Sequence, residues 1–281
     1  MTNDTTSRDR LIMAIIALIA AVLLMTWVPA SVTSAMEATL KGAVAKIAAT
    51  NNPQFAPAPL LITFFFPFWG ALCAVAGAAL LVLAYPIYRG DTWARPAALG
   101  LLTIPSITGA YMTGPIMAFA PDARTQFIIV MAAGLIPYFA VLLWERSSWQ
   151  RKLANFVLFL LLGVTAAWTF SNGHSSLRMV LARPQLYAFD ASLFGYLFNI
   201  PVIWTGVLAT VISIPLLAAR TRAGWWLATS AVVVMLVGTI GLYITHPNVN
   251  EFVQGIVMAV GSLALLLIPA VGGWLRERSM A

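Results

Sequence analysis

The acidic residues are the first place to look for chemistry, because proton coupling and most hydrolytic or transfer reactions require a carboxylate. The chain has nine Asp and Glu residues, and none of them lies in the middle of an apolar run. Four stand at the starts of predicted helices, where an acidic side chain caps the helix or complements its dipole. The others lie in the N-terminal tail, in a connection, or beside arginines at the ends of apolar runs. This distribution argues against a proton pump and against a carrier that works through a membrane carboxylate.

The two histidines, His174 and His246, each lie at the end of an apolar run, near the same face of the expected membrane protein. As a pair they could bind a metal ion or haem, or contact a quinone head group. Alternatively, they are unrelated histidines that hydrogen-bond to water at the membrane surface. Haem in helical bundles usually needs ligands inside facing helices, which these positions fit poorly. The sequence therefore gives His174 and His246 as candidate metal ligands, and it leaves haem, quinone or pigment open as cofactors without requiring any of them.

A Gly-x-Tyr-x-Thr-x-Pro motif occurs twice, at residues 109–115 and 241–247. In a functional interpretation, Gly and Pro break the helix near its end and free backbone carbonyls to bind a ligand, and the two tyrosines add paired hydroxyls. In the alternative interpretation the motif is a packing surface, because small residues let helices approach and tyrosine is favoured at the membrane interface. The candidate ligand-binding residues are Tyr111, Thr113, Tyr243, Thr245 and His246.

The two motifs belong to a longer internal repeat, in which Pro115 and Pro247 are 132 positions apart (247 − 115). We predict two parallel four-helix repeats: residues 1–149, with a long outer loop at about 31–58, and residues 150–281, with an outer loop at about 172–198. Because four is an even number, both repeats insert in the same direction, related by a pseudo-twofold axis along the membrane normal. The same separation relates Ile136-Pro137 to Ile268-Pro269, and Glu145-Arg146-Ser147 to Glu277-Arg278-Ser279.

Composition predicts the elements that carry these residues. The chain is 61% apolar and 9% charged, with a mean hydropathy of +0.89, whereas soluble proteins have about 25% charged residues. Several apolar runs reach the ~20 residues that a helix needs to cross a hydrocarbon core of about 30 Å. We therefore expect an all-α, polytopic helical membrane protein in a lipid bilayer, with about eight transmembrane helices. The predicted spans are residues 11–28, 60–88, 92–120, 124–144, 153–171, 199–219, 225–245 and 251–275.

The connections carry two further predictions. In the long first connection, residues 36–49 are expected to lie as a helix in the membrane interface. Residues 64–69, with four phenylalanines and a tryptophan, are typical of an interfacial aromatic belt.

The distribution of Lys and Arg predicts the orientation. Of the 16 basic residues, eleven fall on one side of the predicted membrane and five on the other, and the richer side faces the cytoplasm. Both termini are therefore expected in the cytoplasm, with the chain in a prokaryotic-type inner (plasma) membrane. This bias explains the net charge of +7. The sequence has no run of basic residues of the kind that would indicate a nucleic acid partner. The five basic residues on the opposite, less basic side are Lys41, Lys46, Arg124, Arg178 and Arg183.

Motifs for common catalytic chemistry are absent from the sequence. It contains no phosphate-binding loop, nucleophile elbow, His-Glu-x-x-His zinc motif or dinucleotide fingerprint. Cys73 is the only cysteine, which rules out a disulfide within the chain and a thiolate metal cluster. The sequence therefore favours a role other than catalysis.

Besides an enzyme that works through His174 and His246, two functions remain open. In the first, the chain carries or binds a neutral or apolar small molecule between its duplicated halves, and an aqueous cavity there would support transport. In the second, it is a non-catalytic subunit or scaffold of a larger membrane complex, respiratory or photosynthetic, which meets other membrane subunits and holds lipid, quinone or pigment. Solid packing between the halves would support the second function. The side chains that distinguish the two are Thr108, Tyr111, Thr113, Thr239, Tyr243 and Thr245.

Overall fold

The computed structural model describes residues 6–144, 148–183 and 191–276. Helices make up nearly all of this part of the chain, and no strand occurs within it, so the predicted all-α class is confirmed. The matching tripeptides at 145–147 and 277–279, which helped to define the repeat, lie outside the described residues. Two short 3-10 helices, Pro53–Phe55 and Pro121–Ala123, accompany the α-helices. The α-helices are α1 (Ser7–Met25), α2 (Trp27–Thr50), α3 (Ala58–Arg89), α4 (Ala94–Phe119), α5 (Arg124–Leu143), α6 (Trp149–Leu181), α7 (Ala191–Ala218), α8 (Arg222–Thr245), α9 (Asn250–Leu267) and α10 (Pro269–Arg276).

Seven helical stretches in the described chain are long and apolar enough to cross a membrane. One of them, Ser7–Thr50, joins α1 and α2 into 44 residues. The stretches do not include α4, although its 26 residues would extend about 39 Å at 1.5 Å per residue. Thr, Ser, Gly and Pro residues make α4 less apolar than its neighbours. The structure thus supports a multi-pass membrane protein with seven candidate spans, and a count of eight stays a prediction.

Polar contacts define the two ends of the helical bundle. At one end, which we call basal, Arg10 donates to the carbonyl of Arg89 (3.3 Å), and the Trp144 indole donates to Asp9 (3.2 Å). At the other end, which we call distal, Lys46 donates to the carbonyl of Ala118 (3.2 Å). The chain therefore runs from the basal to the distal end along α1 and α2, returns along α3, and reaches the distal end again along α4.

The long connection predicted at about 31–58 is mostly helix, because α2 runs from Trp27 through Thr50; helix at residues 36–49 is confirmed, and its place in the membrane interface stays a prediction. Strong helix formers dominate this segment, and no proline interrupts it between Pro29 and Pro53. Asn51 ends the helix in the left-handed conformation (φ 47°), as Asn often does at a C-terminus. Small buried residues recur every fourth position and let α2 pack along α3, α4 and α5. They are Ser31, Ala35, Thr39 and Ala43.

The second predicted outer loop, at about 172–198, is also largely helical, since α6 continues to Leu181 and α7 begins at Ala191. Buried contacts extend α6 beyond its apolar run. The Asn172 amide donates to the carbonyl of Glu251 (3.4 Å), and Ser176 donates to the carbonyl of Asn172 (2.8 Å). One tertiary hydrogen bond and one within the helix therefore stabilise a helical segment that its polarity alone would not predict.

Each half of the chain forms a ring of four helices. In the first half α1 contacts α3, α3 contacts α4, α4 contacts α5, and α5 contacts α1; in the second half α6, α7, α8 and α9 contact one another in the same order. The halves meet mainly where α4 packs against α6 and α7. A twofold axis would relate α4 to α8, α6 to α1 and α7 to α3, so α8 would also have to pack against α1 and α3. Neither of these two pairs is among the helix pairs in extensive contact. The junction between the halves is therefore one-sided.

The prolines of the repeat have different local structures in the two halves. Pro115 lies inside α4, whereas Pro247 follows the end of α8. Pro137 lies inside α5, whereas Pro269 begins α10 after a break at Ile268. The helix break expected at the first motif does not occur, because α4 continues through it to Phe119.

Gly109 of the first motif sits at a close approach of α4 and α5. A Cβ atom at this position would lie 2.6 Å from the Cα atom of Met131, closer than any real contact. Gly134 has a comparable place on α5, facing Ser106 of α4. The packing interpretation of the motif therefore holds at Gly109.

We expect Gly109→Ala to destabilise the protein by about 1–3 kcal/mol, because the added methyl group must push two backbones apart. Gly273→Ala is the control, since a Cβ there meets nothing within 4 Å and the change has the same effect on helix propensity. Thermal unfolding of the purified variants, followed by circular dichroism, measures the difference. Equal midpoints for the two variants would contradict the close approach.

Candidate functional site

Six rings from four helices meet in the distal half of the junction, and we call this cluster the aromatic box. Tyr111 lies 5.4 Å from His174 between ring centroids, and Phe65 lies 5.2 Å from His174. Phe170 and Trp204 stack at 5.4 Å with an interplanar angle of 18°. The box consists of Phe65 and Trp69 of α3, Tyr111 of α4, Phe170 and His174 of α6, and Trp204 of α7.

Helix periodicity places the rings together. Phe65 and Trp69 are four residues apart on α3, as are Phe170 and His174 on α6, so each pair shares one helix face. Gly173 admits the fourth helix, because a Cβ there would overlap the indole of Trp204. The first and second halves of the chain thus contribute equally to the box.

Two hydrogen-bond donors in the box have no partner. The indole nitrogen of Trp69 and the hydroxyl of Tyr111 are both buried without a hydrogen bond. Tyr111 is 0% exposed and Trp69 is 7% exposed. Leaving such a donor unpaired costs about 1–3 kcal/mol. The indole of Trp204, in contrast, donates to the carbonyl of Phe170 (3.4 Å).

The two histidines lie in different surroundings. His174 is buried between Phe65 and Tyr111. His246 is only partly buried at the end of α8, where its ring stacks on Tyr196 at 3.9 Å. No group of three or more His, Cys, Asp or Glu side chains within the described chain could hold a metal ion. A metal shared by the two histidines therefore stays a prediction.

The other residues of the second motif lie outside the box. Tyr243 is 36% exposed, and the hydroxyl of Thr245 donates to its own helix at Gly241 (3.1 Å). Thr113 likewise donates to the carbonyl of Gly109 (3.3 Å). Among the described candidates, the structure brings Tyr111 and His174 together in the box, whereas Thr245 and His246 are hydrogen-bonded to each other (2.9 Å) outside it.

Sequence reasoning missed most of the box. Residues 64–69 were expected to form an interfacial belt, but only Phe64 and Phe68 are exposed, while Phe65 and Trp69 are buried. The four-residue spacing of Phe65 and Trp69 was the available signal. Nothing in the sequence indicates that this face of α3 meets α6.

A cap closes the distal end of the junction. The amine of Lys46 and the guanidinium of Arg178 lie 4.9 Å and 5.3 Å from the ring centroid of Phe55. Arg178 also donates to the carbonyl of Gln54 (3.4 Å), and it lies four residues beyond His174 on α6. The cap therefore stands one helical turn above the box and joins the two halves.

Comparison of the chain with protein-family models, with curated proteins and with solved structures gives no match. Its function is therefore inferred from the geometry of the chain itself.

We expect Trp69→Phe to destabilise the protein by less than Trp225→Phe does. The difference between the two variants should be about 0.5–1.5 kcal/mol, the net value of one hydrogen bond. Both indoles are 7% exposed, so both changes leave a similar gap. Only Trp225 loses a hydrogen bond, to the carbonyl of Leu266 (3.0 Å). Denaturant or thermal unfolding of the two purified variants gives the comparison. An equal loss would mean that Trp69 has a hydrogen-bond partner in the purified protein.

Proposed function

We propose that this chain is a multi-pass membrane protein that binds a neutral, largely apolar small molecule in the aromatic box between its two halves. The observation that carries this proposal is the pair of buried, unpartnered donors on Trp69 and Tyr111. A ligand with acceptor atoms would satisfy both donors while its rings or chain pack against the aromatic walls.

The chemistry of the two donors selects the class of ligand. Aromatic boxes can bind cations through their ring faces, but the indole N–H of Trp69 can only donate a hydrogen bond. The ligand must therefore bring an acceptor, such as a carbonyl oxygen. No acidic side chain lines the box to balance a cation. A planar molecule with carbonyl groups, of which a quinone head group is an example, fits these constraints.

The closed packing of the box favours binding over continuous passage. Tyr111 has no exposed surface, so a ligand enters only when a neighbouring side chain moves. The hydroxyls expected to line an aqueous path are used elsewhere, since Thr108 and Thr239 are fully buried and donate to Ile104 and Met235 of their own helices. Among the neighbours of the box, the Phe55 cap is the element that can move without unpacking a membrane helix.

Duplication and orientation are part of the proposal. The same order of helix contacts in the two rings supports two parallel repeats, divided near residue 149. The eighth span would then be α4. The basal end would face the cytoplasm of an inner membrane, with both termini on that side. Its arginines support this orientation: Arg10, Arg89, Arg95, Arg151 and Arg222.

A non-catalytic subunit or scaffold of a larger membrane complex is the second candidate. The observation that favours it is the solid packing of Thr108, Tyr111 and Thr239, three of the six hydroxyl-bearing residues where an aqueous path was expected. Purification from membranes in a mild detergent, with an absorbance spectrum and a protein gel, tests it. Partner chains in fixed ratio, or a haem or pigment band, would support the subunit role; a colourless single chain would count against it.

We expect decyl-benzoquinone to raise the unfolding temperature of the purified protein in a concentration-dependent way, because a ligand of the native state stabilises it. Tyr111→Phe removes one donor without changing the ring. It should weaken the apparent affinity about fivefold, which is the value of roughly one hydrogen bond.

Tyr243→Phe is the matched control, because Tyr243 holds the equivalent position in the second motif and lies outside the box. Its titration should follow that of the unmodified protein. A titration without any rise in unfolding temperature, or an equal change in both variants, would overturn binding of this probe at the box.

A further inference from the structure

A cleft lies at the same junction, nearer the basal end than the aromatic box. Its volume is about 50 Å³, and α4, α5 and α6 form its walls, with Ile214 of α7 at one side. The walls are almost entirely apolar. The cleft shares no residue with the box, so the inference drawn from it does not depend on the proposed function.

The shape of the cleft follows the helices. Its wall on α4 extends from Thr103 to Ala110, a length of about 10 Å. On the basal side the halves close again where Gly100 meets Pro215, because a Cβ on Gly100 would lie 3.1 Å from that ring. Leu135 and Leu160 in the wall are partly exposed. The cleft is therefore an elongated groove that opens toward the bilayer.

One polar group in the wall is unused. Tyr138 lines the cleft, is 4% exposed, and its buried hydroxyl has no hydrogen-bond partner. The hydroxyls of Thr103 and Ser106, which also line it, donate to the carbonyls of Leu99 (2.9 Å) and Leu102 (3.0 Å). The cleft thus offers an apolar groove with a single free donor.

Water is a poor occupant of such a groove, because an ordered water needs two to four polar partners. We propose that the cleft binds the ester end of one acyl chain of a membrane phospholipid, whose carbonyl accepts a hydrogen bond from the Tyr138 hydroxyl, while the rest of the chain lies along the open side of the groove. Tyr138 stands five residues from the basal end of α5 at Leu143, or about 8 Å. It is therefore close to the head-group side, and the acyl chain runs from there along α4.

Inside a membrane, the hydrogen bond to Tyr138 decides whether a lipid is retained in the cleft. An acyl chain gains no hydrophobic free energy on moving from lipid to an apolar groove, since both surroundings are equally apolar. A lipid is retained only through close packing and through the hydrogen bond to Tyr138. Removing either one should convert a bound lipid into an exchanging one.

The test uses the full chain in lipid nanodiscs that contain phosphatidylcholine with a photoreactive diazirine on one acyl chain. Gly163 lines the cleft, and a Cβ on it meets nothing within 4 Å. Gly163→Leu therefore fills the groove without a backbone clash. Gly273→Leu is the control, because a Cβ on Gly273 also meets nothing and it lies on α10. Cross-linked residues are identified by peptide mass spectrometry.

The unmodified protein and Gly273→Leu should be labelled at Leu135 and Leu160, and Gly163→Leu should reduce this labelling about tenfold, as expected for a filled site. Tyr138→Phe keeps the ring and the fold, so it decides the matter even if Gly163→Leu does not fold. It should lower the labelling about two- to tenfold.

Tyr111→Phe should leave this labelling unchanged, which separates the cleft from the box. Labelling of Leu135 and Leu160 no stronger than that of the lipid-facing Val82 (72% exposed), and equal in Tyr138→Phe, would overturn the proposal. The lipid around the cleft would then be ordinary bilayer lipid.

Discussion

The structure depends on the need to satisfy every polar group inside a bilayer from within the protein, because the hydrocarbon core supplies no water. Ser and Thr do so by donating to the carbonyl one turn back on their own helix. Tyrosine and tryptophan cannot, since their donors stand too far from their own backbone, and they need a partner on another helix or on a ligand. Thr169 is buried without a partner, but a rotation of its short side chain can reach a carbonyl. Five buried hydroxyls follow the rule on separate helices: Thr39, Thr103, Ser176, Thr210 and Thr239.

This constraint explains why α4 differs from the other helices. It packs against α2, α3, α5, α6 and α7, so protein covers much of the surface that other helices expose to lipid. A helix surrounded by protein can carry Gly109, which permits close approach of another helix. It can also carry Thr108, because the hydroxyl of Thr108 donates to a carbonyl of the same helix. The same residues lower its hydropathy. Enclosure by protein therefore lets α4 be less apolar than its neighbours in sequence, α3 and α5.

The helical class and the helix-rich spans could be predicted from the sequence, because length and apolarity alone decide them. The unbroken length of α2 and the extension of α6 to Leu181 could not, since polar residues such as Asn172 remain helical when another helix supplies their hydrogen bonds. Tyr111 and His174 could be selected as site residues by type. That they face each other depends on how α4 packs on α6, which no residue spacing encodes. Pro137 and Pro269 show the same limit, since one local sequence is continuous helix in one half and a break in the other.

The junction between the halves can be followed along α4 as a series of contacts of different strength. In a bilayer the two halves gain nothing by hiding apolar surface from water, so only packing and polar contacts hold them together. Gly100 packs on Pro215 at the basal side, the aromatic box closes the distal half, and the cap above it adds the hydrogen bond from Arg178 to Gln54. The cleft beside Tyr138 is the gap between these contacts. Each wall atom that faces a void there lacks dispersion partners, so an acyl chain in the cleft would supply the contact that the two halves do not make with each other.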